Sequence, residues 1–130
     1  MSEILLDSDV IIAWLRGHES IAGAILVLLE KGHGLLWTPV SIAEIFAGAR
    51  KAERPQMDGL FLILDALSIS APMGKKAGEY IQTFSKSHNV ELGDALIAAA
   101  AHITKIPLWT LNKKHYPMKD ISLYSPDKNP

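Results

Sequence analysis

The sequence predicts an α/β fold with a mostly parallel sheet of about five short strands. Apolar runs of three or four residues alternate along the chain with longer segments whose apolar residues recur at helical spacing. Strands that alternate with helices in this way are joined by crossovers and lie parallel to one another. The 130 residues, 48% of them apolar and 21% charged, can bury a core and most simply form one domain, 1–130.

Two strands and three helices are predicted in the first half of the chain. In order, they are a strand at residues 4–6, a helix at about 10–16, a helix with apolar positions between 21 and 29, a strand at 35–37 and a helix from Ser41 to about Lys51. Gly17 and Gly32 end the first two helices, because glycine readily adopts the backbone conformation that follows a helix. Thr38 and Pro39 turn the chain before the third helix.

Three helices and three strands are predicted in the second half. In order, they are a helix that begins near Pro55 and has apolar positions from 60 to 67, a strand at 67–70, a helix at 72–87, a helix at 91–104, a strand at 107–110 and a strand at 121–124. Pro55 suits a first helical turn, since the N–H that proline lacks has no partner there. The polar tail after Pro126 is expected to be frayed.

The bulk composition limits the possible functions. A formal net charge of −1 gives no overall basic field that would attract nucleic acid, although a local basic rim could still bind it. The chain has no cysteine, which excludes disulfides and thiolate metal sites and leaves oxygen and imidazole as metal ligands. No apolar run approaches the roughly 20 residues of a transmembrane helix, and no signal peptide is apparent, so we expect a cytoplasmic protein without membrane attachment.

Three acidic residues lie at the edges of predicted core elements. Asp7 follows the first strand, Glu44 comes after the second, and Asp94 opens a helix that is apolar on nearly every side. An acid at the edge of an apolar core is costly unless something compensates its charge. These three acids therefore suggest a shared cation.

The predicted topology also brings polar residues from two strands to one edge of the sheet. Ligands of parallel α/β sheets bind beyond the carboxyl ends of the strands. Asp7 lies at this end of strand one, and Thr110 and Asn112 lie at this end of strand four. We therefore expect these side chains to converge.

Each acid also has a purely structural explanation. Asp7 or Asp9 could cap the helix that follows, because aspartate is a favoured N-cap residue. Ser41 and Glu44 have the spacing of a capping box. Asp94 could lie in the first turn of its helix simply because carboxylates are favourable there.

Three residues near the acids leave similar alternatives. Glu91 lies one turn before Asp94 and could share its site or be a solvated first-turn acid. Asn112 could be a turn residue, which asparagine often is. His115 lies in a predicted loop with no second histidine at zinc-ligand spacing, which favours a structural role.

Five motifs resemble those of the PIN-domain ribonucleases, specifically the small VapC-type toxins of type II toxin–antitoxin systems. They are LLDSDVII at residues 5–12, WLRG at 14–17, SIAE at 41–44, GDALIAA at 93–99 and TLNKKHY at 110–116. Their order and spacing match over nearly the whole chain, which makes the set fairly specific. The resemblance implies a PIN-like three-layer α/β/α fold.

The resemblance also implies an acidic active site. Asp7, Glu44 and Asp94 match the core acidic residues of the family, and Asp9 matches a variable supporting position. Asn112 occupies a fourth position where many relatives carry an acid. Its neutral amide is a departure that puts a tightly held second metal in doubt.

The implied activity is endonucleolytic hydrolysis of RNA with Mg²⁺ or Mn²⁺, leaving 5′-phosphate and 3′-hydroxyl ends. These ions prefer oxygen ligands. We expect Asp7 and Asp94 to ligate the metal, and Glu44 to ligate it or to orient the attacking water. Thr110 and Asn112 would position a ligated water or a phosphate oxygen.

Three partners are implied in the same way: an RNA substrate, a cognate antitoxin and a second copy in a homodimer. The candidate RNA-binding rim, whose members could instead be ordinary solvated charges, is Arg50, Lys51, Arg54, Lys113 and Lys114. The candidate antitoxin contact is the segment 55–64, which could instead be an ordinary core-facing helix. Its apolar residues are Met57, Leu60, Phe61 and Leu64.

Two other functions fit part of the pattern. Asp7 and Asp9 after a first strand also suit a Mg-dependent phosphatase of haloacid-dehalogenase type, although the lysine and later acids of such an enzyme are not evident. Trapping an aspartyl-phosphate on Asp7 would favour this function. A non-catalytic module that binds RNA or protein is most compatible with the amide of Asn112, and RNA binding without metal-dependent cleavage would favour it.

Overall fold

A four-stranded parallel sheet lies at the centre of the computed structural model, which describes residues 2–126. Its strands are β1 (Glu3–Leu6), β2 (Gly34–Trp37), β3 (Asp65–Ala66) and β4 (Leu108–Trp109). They lie in the order β3-β2-β1-β4, and all neighbouring strands are parallel. The predicted α/β fold with a mostly parallel sheet is therefore confirmed, whereas the polar tail after Pro126 lies outside the described residues.

Six α-helices connect these strands within the described part of the chain. They are α1 (Ser8–Leu15), α2 (Glu19–Glu30), α3 (Pro39–Ala47), α4 (Arg54–Ile63), α5 (Ala71–His88) and α6 (Leu92–Thr104). Short 3₁₀ helices occur at Lys51–Glu53 and Lys113–His115. Gly17 and Gly32 follow the first two helices with positive φ angles, a conformation that glycine adopts without steric cost.

Helices cover both faces of the sheet. Successive side chains of a strand point to opposite faces, and β1 follows this rule. Leu5 belongs to a buried cluster with residues of α5 and α6, whereas Ile4 and Leu6 belong to a second cluster with residues of α1 to α4. The result is a three-layer α/β/α arrangement in which β1 is buried on both sides.

Helix α6 is buried over most of its length. Its core residues are largely alanines, since Ala95 and residues 98–101 are all at most 2% exposed. Such small side chains let the helix lie close to the sheet and to α5. This close packing fixes the first turn of α6, which carries Asp94.

Strand β3 lies earlier than predicted, at Asp65–Ala66 instead of residues 67–70. The backbone pairing ends with the hydrogen bond from the Leu67 N–H to the Trp37 carbonyl oxygen (2.8 Å). Leu67 and Ile69 are half-buried against the α5–α6 cluster. Their apolar alternation therefore reflects packing after the strand has ended.

The predicted fifth strand at residues 121–124 is only an isolated parallel bridge between Leu108 and Leu123. Two backbone hydrogen bonds flank it, from the Leu108 N–H to the Ser122 oxygen (2.9 Å) and from the Tyr124 N–H to the Leu108 oxygen (2.7 Å). Within residues 2–126 the sheet therefore has four strands, with a short extension beside β4.

Helix α3 begins at Pro39, two residues before the predicted start. Thr38 is the N-cap, and its hydroxyl oxygen accepts a hydrogen bond from the Ser41 N–H (3.3 Å). Ser41 therefore lies inside the helix, and the predicted capping box between Ser41 and Glu44 is wrong. The carboxylate of Glu44 is available for a contact outside its own helix.

No single helix in residues 2–126 is long and apolar enough to cross a membrane. Helices α1 and α2 reach the length and apolar composition of a membrane span only when taken together, and they are bent by 106° at their junction.

We predict that Leu5→Ala lowers the free energy of unfolding by about 2–5 kcal/mol, because Leu5 is fully buried in the central strand and its truncation leaves a cavity. Leu62→Ala is the matched control: Leu62 is 91% exposed, so the same truncation should change this free energy by less than about 0.5 kcal/mol. Urea denaturation measures both. Equal destabilisation would contradict the placement of Leu5 in the core.

Candidate active site

The chain changes direction across the sheet at β1. It passes from β1 to β2 and β3 on one side and returns through α5 and α6 to β4 on the other side. Such a switch point leaves a crevice beyond the carboxyl ends of the two central strands, where α/β folds bind ligands. Asp7 follows β1 and Thr110 follows β4, and the Asp7 backbone N–H donates to the Trp109 carbonyl oxygen (2.9 Å).

Asp7 is the buried carboxylate of this crevice and is only 7% exposed. Its Oδ1 accepts a hydrogen bond from the Ser8 backbone N–H (2.8 Å), so Asp7 does act as the N-cap of α1. Its Oδ2 accepts hydrogen bonds from the hydroxyls of Thr110 (2.8 Å) and Tyr116 (2.9 Å). Bonds of this kind offset the cost of burying a carboxylate. Asp7 therefore joins α1 to a segment near the end of the chain.

Asp9 connects helix α1 to the loop after β4. Its two carboxylate oxygens accept hydrogen bonds from the Leu111 backbone N–H (3.2 and 3.1 Å), and Oδ2 lies 3.3 Å from Thr110 Oγ1. Burial and the charge of Asp7 raise the pKa of Asp9, and hydrogen bonds from the backbone and Thr110 partly oppose this. Asp7 and Asp9 are thus neighbouring carboxylates that share one hydroxyl neighbour.

Ser8 connects Asp7 to Glu44. While its backbone N–H donates to Asp7, its hydroxyl donates to Glu44 Oε1 (2.7 Å) and lies 3.0 Å from the Ser41 hydroxyl. The second carboxylate oxygen of Glu44 faces Gly93, where an added Cβ would lie 3.5 Å from Oε2. Glu44 therefore reaches from α3 to the first turn of α6.

Asp94 completes the acidic group from the first turn of α6. Its side chain is 21% exposed, and its Oδ2 lies 3.4 Å from His115 Nδ1. Burial raises the pKa of Asp94 to about 6; His115 opposes this shift, and the charges of Asp7, Glu44 and Glu91 add to it. Asp94 directly follows Gly93, the residue that Glu44 Oε2 faces.

A chain of contacts leads from Thr110 to Asp94 through Asn112 and His115. The Asn112 N–H donates to the Thr110 hydroxyl oxygen (3.1 Å), and its Nδ2 lies 3.0 Å from His115 Nε2. Because an amide nitrogen can only donate, Nε2 accepts and a neutral His115 carries its proton on Nδ1, facing Asp94. Glu91, in contrast, is exposed at the N-cap of α6 and makes no side-chain cap bond.

The predicted basic rim separates into two groups. Lys113 and Lys114 line an open cleft of about 550 Å³ together with Lys86 and His88, which lie in the last turn of α5. The other predicted residues, in segment 50–54, lie between α3 and the first turn of α4. Among the described residues, none of this second group forms an ion pair with an acid of the site.

Several contacts of the site had no clear signal in the sequence. Ser8 stands between two acids, but nothing local indicates that its hydroxyl bonds to Glu44. Tyr116 ends the motif at residues 110–116, and nothing local indicates that its hydroxyl bonds to Asp7. His115 lies in a predicted loop, and nothing local indicates that its ring pairs with Asp94. Lys86 is distant from Lys113 in the sequence, and only the fold brings the two lysines to one cleft.

The acids offer the oxygen ligands that Mg²⁺ and Mn²⁺ prefer. In the conformation described for residues 2–126, no three acidic or histidine side chains are close enough together to hold a metal ion. Mg²⁺, however, keeps several waters and needs only one or two protein carboxylates. Over the same residues, the only basic side chain paired with an acid of this site is His115. The donor set therefore fits a hydrated divalent ion better than a closed cage of three carboxylates.

Comparison with known proteins identifies the class to which this fold and site belong. The PIN domain family matches residues 4–120. The chain is 40% identical over 116 residues to ribonuclease VapC10 of Mycobacterium tuberculosis, covering 88% of this chain and 86% of that protein. The chain belongs to the PIN-domain family and is a homologue of the VapC ribonucleases.

Solved structures share the fold. A chain in the crystal structure of VapBC2 from Rickettsia felis, bound to a DNA fragment from their promoter, matches with a TM-score of 0.79 at 20% identity and covers 94% of this chain and 97% of its own length. A chain in the DNA-bound VapBC of Salmonella typhimurium gives 0.80 at 17% identity, with 95% and 98% covered. The predicted PIN-like fold is therefore confirmed, and the family match favours it over the haloacid-dehalogenase alternative.

We predict that Asp94→Asn raises the stability of the metal-free protein relative to wild type, increasingly so as the pH rises from about 4 to 6. The folded-state pKa of Asp94 is raised from 3.8 to about 6, so the folded protein binds this proton more tightly than the unfolded chain does. The stability that this proton contributes is therefore lost as the pH rises through that window. Denaturant titrations of both proteins in EDTA measure the difference, and a difference that is constant from pH 4 to 7 would contradict the raised pKa.

Proposed function

We propose that the protein is a metal-dependent endoribonuclease and the toxin of a toxin–antitoxin pair. The observation that carries this proposal is the hydrogen bond between Asp7 and Thr110 at the switch point. Glu44 is bound to the neighbouring Ser8 and faces Gly93, which Asp94 follows. The same chain belongs to the PIN-domain family and is a homologue of a protein named ribonuclease VapC10. RNA is therefore the proposed substrate, and the cytoplasm, where RNA is abundant, is the proposed location.

PIN-domain ribonucleases depend on a divalent metal, and Mg²⁺ or Mn²⁺ is our proposal for this chain. Asp7 and Asp94 would hold it, with Glu44 as a further ligand or as the group that orients the attacking water. When bound, such an ion lowers the pKa of a water and neutralises charge on the scissile phosphate. Oxygen ligands and the absence of thiolates from the sequence agree with these ions.

The surrounding residues would hold the acids in place for hydrolysis. The Ser8 hydroxyl fixes one oxygen of Glu44 and leaves the other directed towards the first turn of α6. The Thr110 hydroxyl donates to Asp7 and accepts from the Asn112 N–H. Thr110 would therefore serve the reaction by holding the Asp7 carboxylate in place. Glu91 and Asp9 would support the site by their charge. Hydrolysis would leave 5′-phosphate and 3′-hydroxyl ends.

The basic cleft between the end of α5 and Lys113 and Lys114 is the proposed path of the RNA backbone. Its lysines, Lys86, Lys113 and Lys114, are exposed and none forms an ion pair with an acid of the described chain. A chain with a net charge of −1 would bind a polyanion through such a local cluster of cations. The arginines and lysine of segment 50–54 remain a second, separate candidate for phosphate contact.

An antitoxin is the proposed protein partner, since solved relatives of the same fold are VapBC complexes. Three of the four apolar residues predicted for this contact, Met57, Leu60 and Leu64, are buried in the core. The exposed apolar surface of α4 is instead formed by residues 61–63, where Phe61 is 51% and Ile63 43% exposed. We propose that the antitoxin covers this surface and that the toxin forms a homodimer.

We predict that EDTA abolishes cleavage of pooled RNA and that Asp7→Asn and Asp94→Asn each reduce it by about 100-fold or more, because loss of even an outer-shell partner of a metal costs 10–100-fold. A gel-based cleavage assay with Mg²⁺ or Mn²⁺ measures the rates. Asp65→Asn, at an exposed position of β3, is the control and should cleave normally. Wild-type rates in both active-site variants would refute the catalytic assignment.

We predict that replacing Lys86, Lys113 and Lys114 together by alanine weakens RNA binding in EDTA and lowers the salt dependence of binding. Each lost phosphate contact on a single strand reduces the slope of log K against log salt by about 0.7. Fluorescence anisotropy of a labelled RNA at several salt concentrations measures both quantities. Lys31→Ala, at the exposed C-cap of α2, is the control; the same slope for the triple variant and the wild type would exclude the cleft as the RNA path.

A further inference from the structure

Tyr116 is a buried phenol whose hydroxyl contacts the carboxylate of Asp7. The residue is 4% exposed, and its ring packs in the same cluster as Leu108 and Met118. A phenylalanine could fill this apolar space without bringing a polar atom into the core. The hydroxyl therefore requires a partner, because a buried donor without one costs about 1–3 kcal/mol. That partner is Asp7 Oδ2, at 2.9 Å.

The hydrogen bonds of Asp7 are distributed unequally between its two oxygens. Each carboxylate oxygen has about two acceptor positions. Oδ2 accepts from Thr110 (2.8 Å) and from Tyr116 (2.9 Å), which fills both positions. Oδ1 accepts from the Ser8 N–H (2.8 Å), its one donor among residues 2–126. Asp7 is thus left with a single open position, and that position is on Oδ1.

We propose that Tyr116 is a positioning residue for the divalent ion: by occupying Oδ2 of Asp7 together with Thr110, it leaves Oδ1 as the oxygen that binds the metal. This inference rests on the proposed function. Without the Tyr116 hydroxyl, both oxygens of Asp7 would have an open position, and the carboxylate would no longer present a single donor to the ion. Groups that orient a metal ligand in this way typically change metal affinity by about 10–100-fold.

The test is the affinity of the RNA-free protein for Mn²⁺, measured by isothermal titration calorimetry. Tyr116→Phe keeps the ring and removes only the hydroxyl, and we expect it to raise the dissociation constant about tenfold or more. Thr110→Val, which removes the other donor to Oδ2, should also weaken binding and provides a second variant if the first folds poorly. At saturating Mn²⁺, the Tyr116→Phe protein should cleave RNA at a rate within a few-fold of wild type.

Tyr80→Phe is the matched control. Tyr80 is also 4% exposed, and its hydroxyl also donates to a carboxylate, that of Asp120 (2.7 Å), which lies outside the acidic site and pairs with Lys76. Both substitutions should lower the melting temperature, but only Tyr116→Phe should change the affinity for Mn²⁺.

Three results would count against the inference. Equal Mn²⁺ affinity in wild type and Tyr116→Phe overturns it and leaves the proposed function intact. An equal loss of affinity in Tyr80→Phe also overturns it, because the effect would then be one of general stability. A wild-type protein that binds no Mn²⁺ and cleaves no RNA overturns the proposed function itself.

Discussion

The site depends on the contact between two strand ends that are far apart along the chain. The Asp7 backbone N–H bonds to the Trp109 carbonyl oxygen, and the Thr110 hydroxyl bonds to the Asp7 carboxylate, although residues 7 and 110 are separated by 103 positions. This contact exists because β4 pairs with β1 on the side opposite β2. It closes one wall of the crevice and brings Asn112, His115 and Tyr116 to the acids.

The second constraint is electrostatic. Asp7, Asp9, Glu44 and Asp94 gather at the edge of two apolar clusters, and His115 is the single basic side chain paired with any of them in the described chain. Burial is the main cause of the raised pKa values of Asp9 and Asp94, and repulsion from the neighbouring acids adds to it. An arrangement of like charges is unfavourable in isolation and becomes favourable when it binds a cation. The charges of the four acids and the hydrogen bonding of Asp7 thus both favour a bound cation.

The elements that repeat a clear pattern were predictable, and those that depend on a distant partner were not. Helix α6 was predicted because it is apolar on nearly all sides, and it is buried as expected. The predicted start of β3 was two residues too late, because Leu67 and Ile69 pack like strand residues after the backbone pairing has ended. The start of α3 was misplaced because Thr38, rather than Ser41, is the N-cap, and its hydroxyl oxygen accepts from the Ser41 N–H.

The amino-acid sequence by itself determined the α/β class, through the alternation of apolar runs and helical periodicity, and it determined which acids stand beside the core. Only the tertiary structure decided which side chains hold those acids. The hydroxyl of Ser8 could have bonded within its own helix, and the ring of Tyr116 could have served the core alone. Their bonds to Glu44 and Asp7 form because chain segments 36 and 109 positions away pack against them, and local sequence carries no information about such distant neighbours.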